Sequence, residues 1–316
     1  MKLYKKIRNC TLIIMLTTMS FYCINQLVFY LSTIKEMLHS RYGNTYSWRF
    51  GKIFYTKQGE GSPVLCIHNV DTSSSSMEFQ NITQKLAEKH TVYAIDLLGC
   101  GRSSKPKITY TTYMYVQLIN DFIQNIIGTK TNVIASGKSA SFTCLSCTME
   151  PANFNKILCI NPEDIKDMNK YPTKRKKMRK YMIEIPFIGT MIYNLFHRKI
   201  KIKNLFVKKH FYDSSKIKPK YILEYHESSH LGWSSSKYLY SSLVSDYLSC
   251  NIFNCIKNLN HSLYFVLGEY EYNSEDILTQ YQSLNPSIEG SIIKNTKHLP
   301  QLEDASAILH ICDIFF

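Results

Sequence analysis

No internal repeat, low-complexity tract or linker divides this chain, and its composition is that of an ordinary globular protein, which excludes a fibrous repeat and wholesale disorder. Cysteine is sparse: ten residues in 316, about 3%, well below a disulfide scaffold. The length suffices for a sizeable core without covalent staples. Acid is absent or scarce in two segments that hold most of the base. Residues 1–8 carry Lys2, Lys5, Lys6 and Arg8 and no acid. Residues 164–220 carry 17 Lys and Arg against Asp164, Asp167, Glu184 and Asp213. Those segments account for +4 and +13 of a formal net charge of +14, so the remainder is slightly acidic. The basicity is therefore local, and no nucleic-acid recognition motif accompanies it.

Charge of either sign is absent between Arg8 and Lys35. That apolar run is long enough for a helix to cross a bilayer. Asn25 and Gln26 near its middle are the only features against a span. A secretory signal has a shorter apolar core and a small-x-small cleavage site, which is not found here. Residues 1–35 are thus expected to be an uncleaved anchor. The basic flank before it, against Lys35, Glu36 and Arg41 after it, places the N-terminus in the cytoplasm and the rest outside. Cysteines argue the other way: Cys66 and Cys159 fall in apolar runs, and Cys144 and Cys147 lie one helical turn apart, as buried free thiols do in reducing compartments. The Cys144-x2-Cys147 spacing has no second pair to complete a zinc site.

From residue 46 short β-rich runs alternate with helical patterns. Tyr46–Phe50 and Lys52–Thr56 suggest a hairpin. Ser62–His68, Thr91–Leu97, Asn132–Ser136, Lys156–Ile160, Leu263–Leu267 and Ser291–Lys294 suggest strands, several apolar throughout, as strands buried on both faces are. Helical spacing predicts helices over Met77–Lys89, Met114–Ile127, Phe142–Met149, Glu275–Tyr281 and Ala305–Phe315. Such alternation predicts a mostly parallel sheet with helices on both faces. Residues 46–162 and 246–316 form this core, and 163–245 form an inserted, mostly helical cap.

Chemistry in such sheets collects at the carboxyl ends of the strands. After Asn132–Ser136 comes Gly137-Lys138-Ser139-Ala140-Ser141, a small-x-Ser-x-small turn between strand and helix that suits a nucleophile elbow. Gly-Lys-Ser also ends a phosphate-binding loop, but that motif needs a Gly at 132, where Asn stands.

Four landmarks in order resemble the α/β-hydrolase family over residues 46–316. They are His68-Asn69-Val70-Asp71 at a strand end, the turn Asp96-Leu97-Leu98-Gly99-Cys100-Gly101-Arg102-Ser103, the Ser139 elbow, and Lys297-His298-Leu299-Pro300. The resemblance implies a serine hydrolase of the esterase or lipase kind, with Ser139 as nucleophile and His298 as base. The acid follows the strand after the cap. Glu271 fits, and Glu269, Glu275, Asp276 and Asp246 remain candidates. Backbone N–H groups of Ala140 and, by the family pattern, Val70 would hold the oxyanion. No cofactor is implied. The family's dehalogenases and epoxide hydrolases carry Asp at the nucleophile, so those chemistries are not expected. Asn69 and Ser141 replace family glycines and Glu271 an Asp, which keeps open a second reading, a catalytically silent binding protein on the same fold.

His226-Glu227-Ser228-Ser229-His230 matches H-E-x-x-H, the pattern of a zinc metallopeptidase. A third ligand is hard to find, since Asp246 is the sole acid between Ser228 and Gly268. These residues are expected to be polar groups of a cap helix, lining the acyl pocket or facing water. The basic cap, densest at Lys174–Lys180 and interleaved with apolar residues, suits docking on a membrane that supplies a lipid-like or other hydrophobic acyl substrate.

Overall fold

A computed structural model describes residues 2–40 and 42–316; Arg41, counted above among the flanking charges, lies outside them. The basic flank and the uncharged run together form a single helix, α1 (Lys2–Thr33). Strands follow as β1 (Gly43–Trp48), β2 (Gly51–Gln58), β3 (Ser62–Ile67), β4 (His90–Ile95), β5 (Thr131–Ser136), β6 (Phe154–Ile160), β7 (Ser262–Gly268) and β8 (Glu289–Ile293). They make one sheet in the order β1-β2-β4-β3-β5-β6-β7-β8. Only the β1–β2 and β2–β4 pairs are antiparallel. The winding reverses at β3, which has β4 on one side and β5 on the other. A crevice opens above strand ends at such a reversal.

Core helices are α2 (Gln80–Leu86), α3 (Thr112–Phe122) and α4 (Lys138–Met149). The cap holds α5 (Ile165–Met168), α6 (Lys174–Glu184), α7 (Ile188–Phe196), α8 (Lys199–Leu205), α9 (Pro219–His230) and α10 (Lys237–Leu243). The chain returns through α11 (Phe253–Asn258), α12 (Ser274–Leu284), α13 (Pro300–Glu303) and α14 (Ala305–Phe315). Alternate strand residues serve opposite faces. Val64, Cys66, Ile134 and Val266 meet α2 and α14, while Leu65, Ile67, Val133 and Phe265 meet α3, α4 and α12. β5 is buried at every position, which is why it shows no polar alternation.

The cap rests on the loops after β3 and β4. Thr72 pairs with His197, and Ser228 Oγ donates to Ser74 O while accepting from the Gly101 N–H. One element differs from expectation in a way that bears on the site. Helix α4 starts at Lys138, a turn before the expected Phe142.

Candidate functional site

Between the end of β5 at Ser136 and the start of α4 at Lys138 stands one residue, Gly137, with φ 56° and ψ −129°. A nucleophile elbow is a sharp, strained strand-to-helix turn of this kind, and its strained residue is Gly137, not Ser139. The turn is drawn tight by the Gly137 N–H, which donates to Ile160 O at 2.8 Å, and the Ala140 N–H, which donates to Gly137 O at 3.1 Å. Glycine takes positive φ without a Cβ clash.

Ser139 lies two residues on, inside the first turn of α4 and fully buried. Its Oγ donates to the His68 carbonyl at 2.6 Å, and among the described residues no hydrogen bond joins it to His298. The structure thus does not bring Ser139, the expected nucleophile, into hydrogen-bonding contact with His298. The small-x-Nu-x-small frame falls on Ala135-Ser136-Gly137-Lys138-Ser139, and its central residue has no side chain.

The anion-stabilising donors shift with the frame. The Ala140 N–H is engaged within the turn. The N–H after the elbow residue belongs to Lys138, and it donates to Asn69 Oδ1 at 3.0 Å. A Cβ on Gly137 would lie 2.4 Å from Asn69 Cγ and 2.5 Å from its Oδ1. The Asn69 amide thus fills the volume of a nucleophile side chain, and its oxygen sits on an N–H that an oxyanion would need. The backbone N–H of Asn69 donates to Glu78 Oε2 at 3.1 Å, and Tyr225 OH donates to Glu78 Oε1 at 3.0 Å. Glu78, itself buried, fixes the loop that carries Asn69 and the buried Val70.

The residues expected to be base and acid lie side by side. His298 follows β8, Glu271 follows β7, and His298 Nδ1 lies 3.2 Å from Glu271 Oε2. Among the other candidate acids, Glu269 accepts from the Asn295 N–H, Asp246 pairs with Lys176, and Glu275 and Asp276 open α12. Asn161, after β6, ties the two loops: Nδ2 donates to Lys297 O (2.8 Å) and His298 O (2.9 Å), and Oδ1 accepts from the Gly268 N–H (2.9 Å). His210 stacks on His298 with ring centroids 5.4 Å apart. Burial, aided by the nearby His298 and Lys209, pushes His210 well below its ordinary range, so it stays neutral there. Asn69, His210, Glu271 and His298 share a cleft of about 700 Å³ with Lys208 and Lys297 at its wall.

For His298, burial opposes the charge, but the Glu271 hydrogen bond and charge, with Glu78 and Glu163 behind them, outweigh it and raise its pKa. A raised value favours the charged form in the fold. The pair therefore stabilises fully below about 6.5, the unfolded value, and this contribution fades as pH rises through the folded value. An NMR titration should place His298 above the ordinary imidazole value. Glu271→Gln should lower it, because burial then acts with less opposition; an unmoved pKa would sink the assignment.

The H-E-x-x-H residues lie neither in the cleft nor in water. They sit on α9 against the end of α1. Glu227 accepts from the backbone N–H groups of Met37 (2.7 Å) and Leu38 (3.2 Å). The His230 ring lies 5.9 Å from Phe29 of α1. Burial pulls His226 down to about 4 and His230 to about 3. Among the described residues no three His, Cys, Asp or Glu side chains are placed to share a metal. A carboxylate committed to two backbone donors does not serve as a peptidase base, which sets the metallopeptidase alternative aside.

Residues that sequence reasoning missed are Gly137 and Lys138 as the elbow, together with Asn161, Glu78 and His210. One signal was available: Gly137 is the only glycine between β5 and α4, and a turn with φ > 0 favours glycine.

Comparison with known proteins agrees with this architecture. A family model described as alpha/beta hydrolase fold matches residues 62–139. A 2-hydroxy-6-oxo-6-(2'-aminophenyl)hexa-2,4-dienoic acid hydrolase of Metapseudomonas resinovorans is 35% identical over 71 residues, covering 22% of this chain and 24% of that protein. The chain thus matches about a quarter of that curated relative. The solved epoxide hydrolase CorEH superposes with a TM-score of 0.71 at 18% identity, covering 87% of this chain and 98% of that one. Carboxylesterase CesB from Bacillus subtilis superposes at 0.66 and 15% identity, covering 94% and 97%. At these identities the solved structures carry the fold alone. The chain has the α/β-hydrolase fold, with the family match confined to residues 62–139, and the proteins it resembles are hydrolases of several bond types.

Proposed function

We propose that this protein is a non-acylating member of its fold, one that binds a small ligand in the cleft beside His298 and Glu271 without forming a covalent intermediate. The observation that carries the reading is the pairing of Gly137 with Asn69: the elbow has no nucleophile, and an amide fills its place. The uncharged stretch of α1 after Arg8 holds the domain at a bilayer, with the N-terminus on the cytoplasmic side as the flanking charges suggest.

A second reading keeps hydrolysis, and the hydrogen-bonded His298–Glu271 pair favours it. Cleavage of an ester or related acyl bond of a hydrophobic substrate then runs without an acyl-enzyme. Water attacks the carbonyl carbon, His298 Nε2 takes its proton, and the leaving group receives that proton as the bond breaks. Attack by Ser139, the third route, is supported by the order of the sequence landmarks and by the hydrolase neighbours.

A fluorophosphonate probe separates the three. Folded protein that resists labelling supports the first two readings, and ester turnover lost in His298→Ala then selects the second. Labelling that disappears in Ser139→Ala would overturn both.

A further inference from the structure

Burial changes along α1. From Tyr4 to Met19 its apolar side chains are exposed all round, Ile13, Ile14, Met15 and Leu16 among them. A helix that is apolar on every face and bare to solvent belongs in lipid. Further on, one stripe turns inward. Asn25 is buried, donates to Phe187 O at 3.2 Å and accepts from Asn194 Nδ2 at 2.9 Å. Phe29 is fully buried against His230 and Trp233. The polar residue that seemed to weaken the span is thus satisfied by the cap. Lys5, Lys6 and Arg8 then fall at the far headgroup layer, and at 1.5 Å per residue the uncharged Asn9–Phe21 rises about 20 Å, short of the ~30 Å hydrocarbon thickness by an amount that snorkelling cations and local thinning accommodate. The near face of a bilayer then falls at about Tyr22.

That level is where the turn between α6 and α7 meets α1. Phe187 packs edge-on against Tyr22 with centroids 6.3 Å apart. It is held at φ 58°, ψ −62°, with the Ile188 N–H donating to Pro186 O at 2.6 Å, a strained γ-turn. Such strain persists where the surroundings demand it and marks functional surfaces. Around this turn the cap shows apolar side chains to solvent: Ile188 on α7 and Met178, Tyr181 and Met182 on α6. The α6 residues fall with Lys174 and Lys177 at helical spacing, on one stripe. Lys174, Arg175 and Lys177 are exposed, whereas Lys176 pairs with Asp246 and Lys180 with Glu184. Apolar side chains fringed by unpaired cations are the composition of an interfacial helix.

We infer that the α6–α7 edge of the cap is a lipid-binding surface, seated in the headgroup layer of an anionic bilayer beside α1. This rests on α1 being a span. Continuity with that span and charge complementarity select lipid over a protein partner. The cap then meets the membrane through a fixed face rather than through diffuse attraction.

The test uses the full chain in vesicles containing phosphatidylglycerol and a brominated lipid. In Ile188→Trp the added indole emission should be largely lost to bromine quenching. In Ile314→Trp, exposed on α14 over the sheet, the added emission should persist. Reversing Lys174, Arg175 and Lys177 to Glu should relieve the quenching in the Ile188→Trp background while the protein stays in the membrane through a carbonate wash. Retention with unquenched Ile188→Trp emission would overturn the seating and leave the span standing. Extraction by carbonate would overturn the span, and the seating with it.

Discussion

Replacing Asn69 by Gly and Gly137 by Ser together is expected to turn a protein that a fluorophosphonate ignores into one that it labels. The two positions interlock. A Cβ at 137 meets the Asn69 amide at 2.4 Å, so Gly137→Ser alone must displace that amide and place a side chain at φ 56°. Sparsely populated backbone of this kind costs about 1–3 kcal/mol. Asn69→Gly alone frees the Lys138 N–H but supplies no nucleophile. With both changes a hydroxyl stands at the elbow, the N–H is open to an oxyanion, and His298 is already oriented by Glu271. His298→Ala in the double variant should slow labelling by about 10²–10⁴-fold, the usual contribution of a positioned base. A folded double variant that stays unlabelled would end the argument that the site is an emptied elbow.

Arg102→Met is expected to be the most damaging single change to stability, at about 3–5 kcal/mol, because it leaves a buried charge without its partner. Asp96 is fully buried, and Arg102 reaches it through Nε at 2.7 Å and Nη2 at 3.0 Å. The same guanidinium lies 3.8 Å from the Phe54 ring centroid, and Nη1 donates to Leu38 O at 3.0 Å. Burial by itself raises the Asp96 pKa; the charge and hydrogen bonds of Arg102 outweigh it and hold the carboxyl well below the usual range. A depressed value stabilises above about 3.9, the unfolded pKa, and that stability is lost as pH falls through the folded one. Without Arg102, burial prevails and Asp96 tends to the neutral form. The gap between wild type and variant should therefore be widest near neutrality and narrow in acid. Urea denaturation at both pH values reads this directly, and a loss below about 1 kcal/mol at neutral pH would show the pair to be marginal. Asp96→Asn in the Arg102→Met background should recover part of the loss by removing the orphaned charge.

The sheet was legible because parallel strands buried on both faces leave unbroken apolar runs at their centres, as in Val64–Ile67 and Val133–Ala135. The order of landmarks placed His298 and Glu271, whose side chains do meet. The strained elbow residue stands two positions before the expected Ser139, and His226–His230 pack on α1 rather than lining the cleft or facing water. Ser136, Gly137, Ser139, Ala140 and Ser141 are all small, so the local pattern fits more than one register, and a hydroxyl draws the eye where a hydrogen atom does not. What fixes the register is a backbone angle and a contact between residues 69 and 137, and neither is written in local spacing. The packing of α1 on the cap was hidden for the same reason. Asn25 looked like a flaw in an apolar run until its partners, Phe187 and Asn194, stood beside it.

Contacts at Tyr22, Asn25 and Phe29 fasten the domain to its helix at successive heights, and Leu38 ties down the segment just after it. A stalk joined at one point lets its cargo swing; one joined along its side turns with it. In the proposed membrane setting, helix and domain would tumble about the membrane normal as a single rotor, and the cleft would keep a constant elevation above the lipid. The proposed ligand would then meet the opening at one angle, set by the tilt of α1 rather than by the reach of a linker.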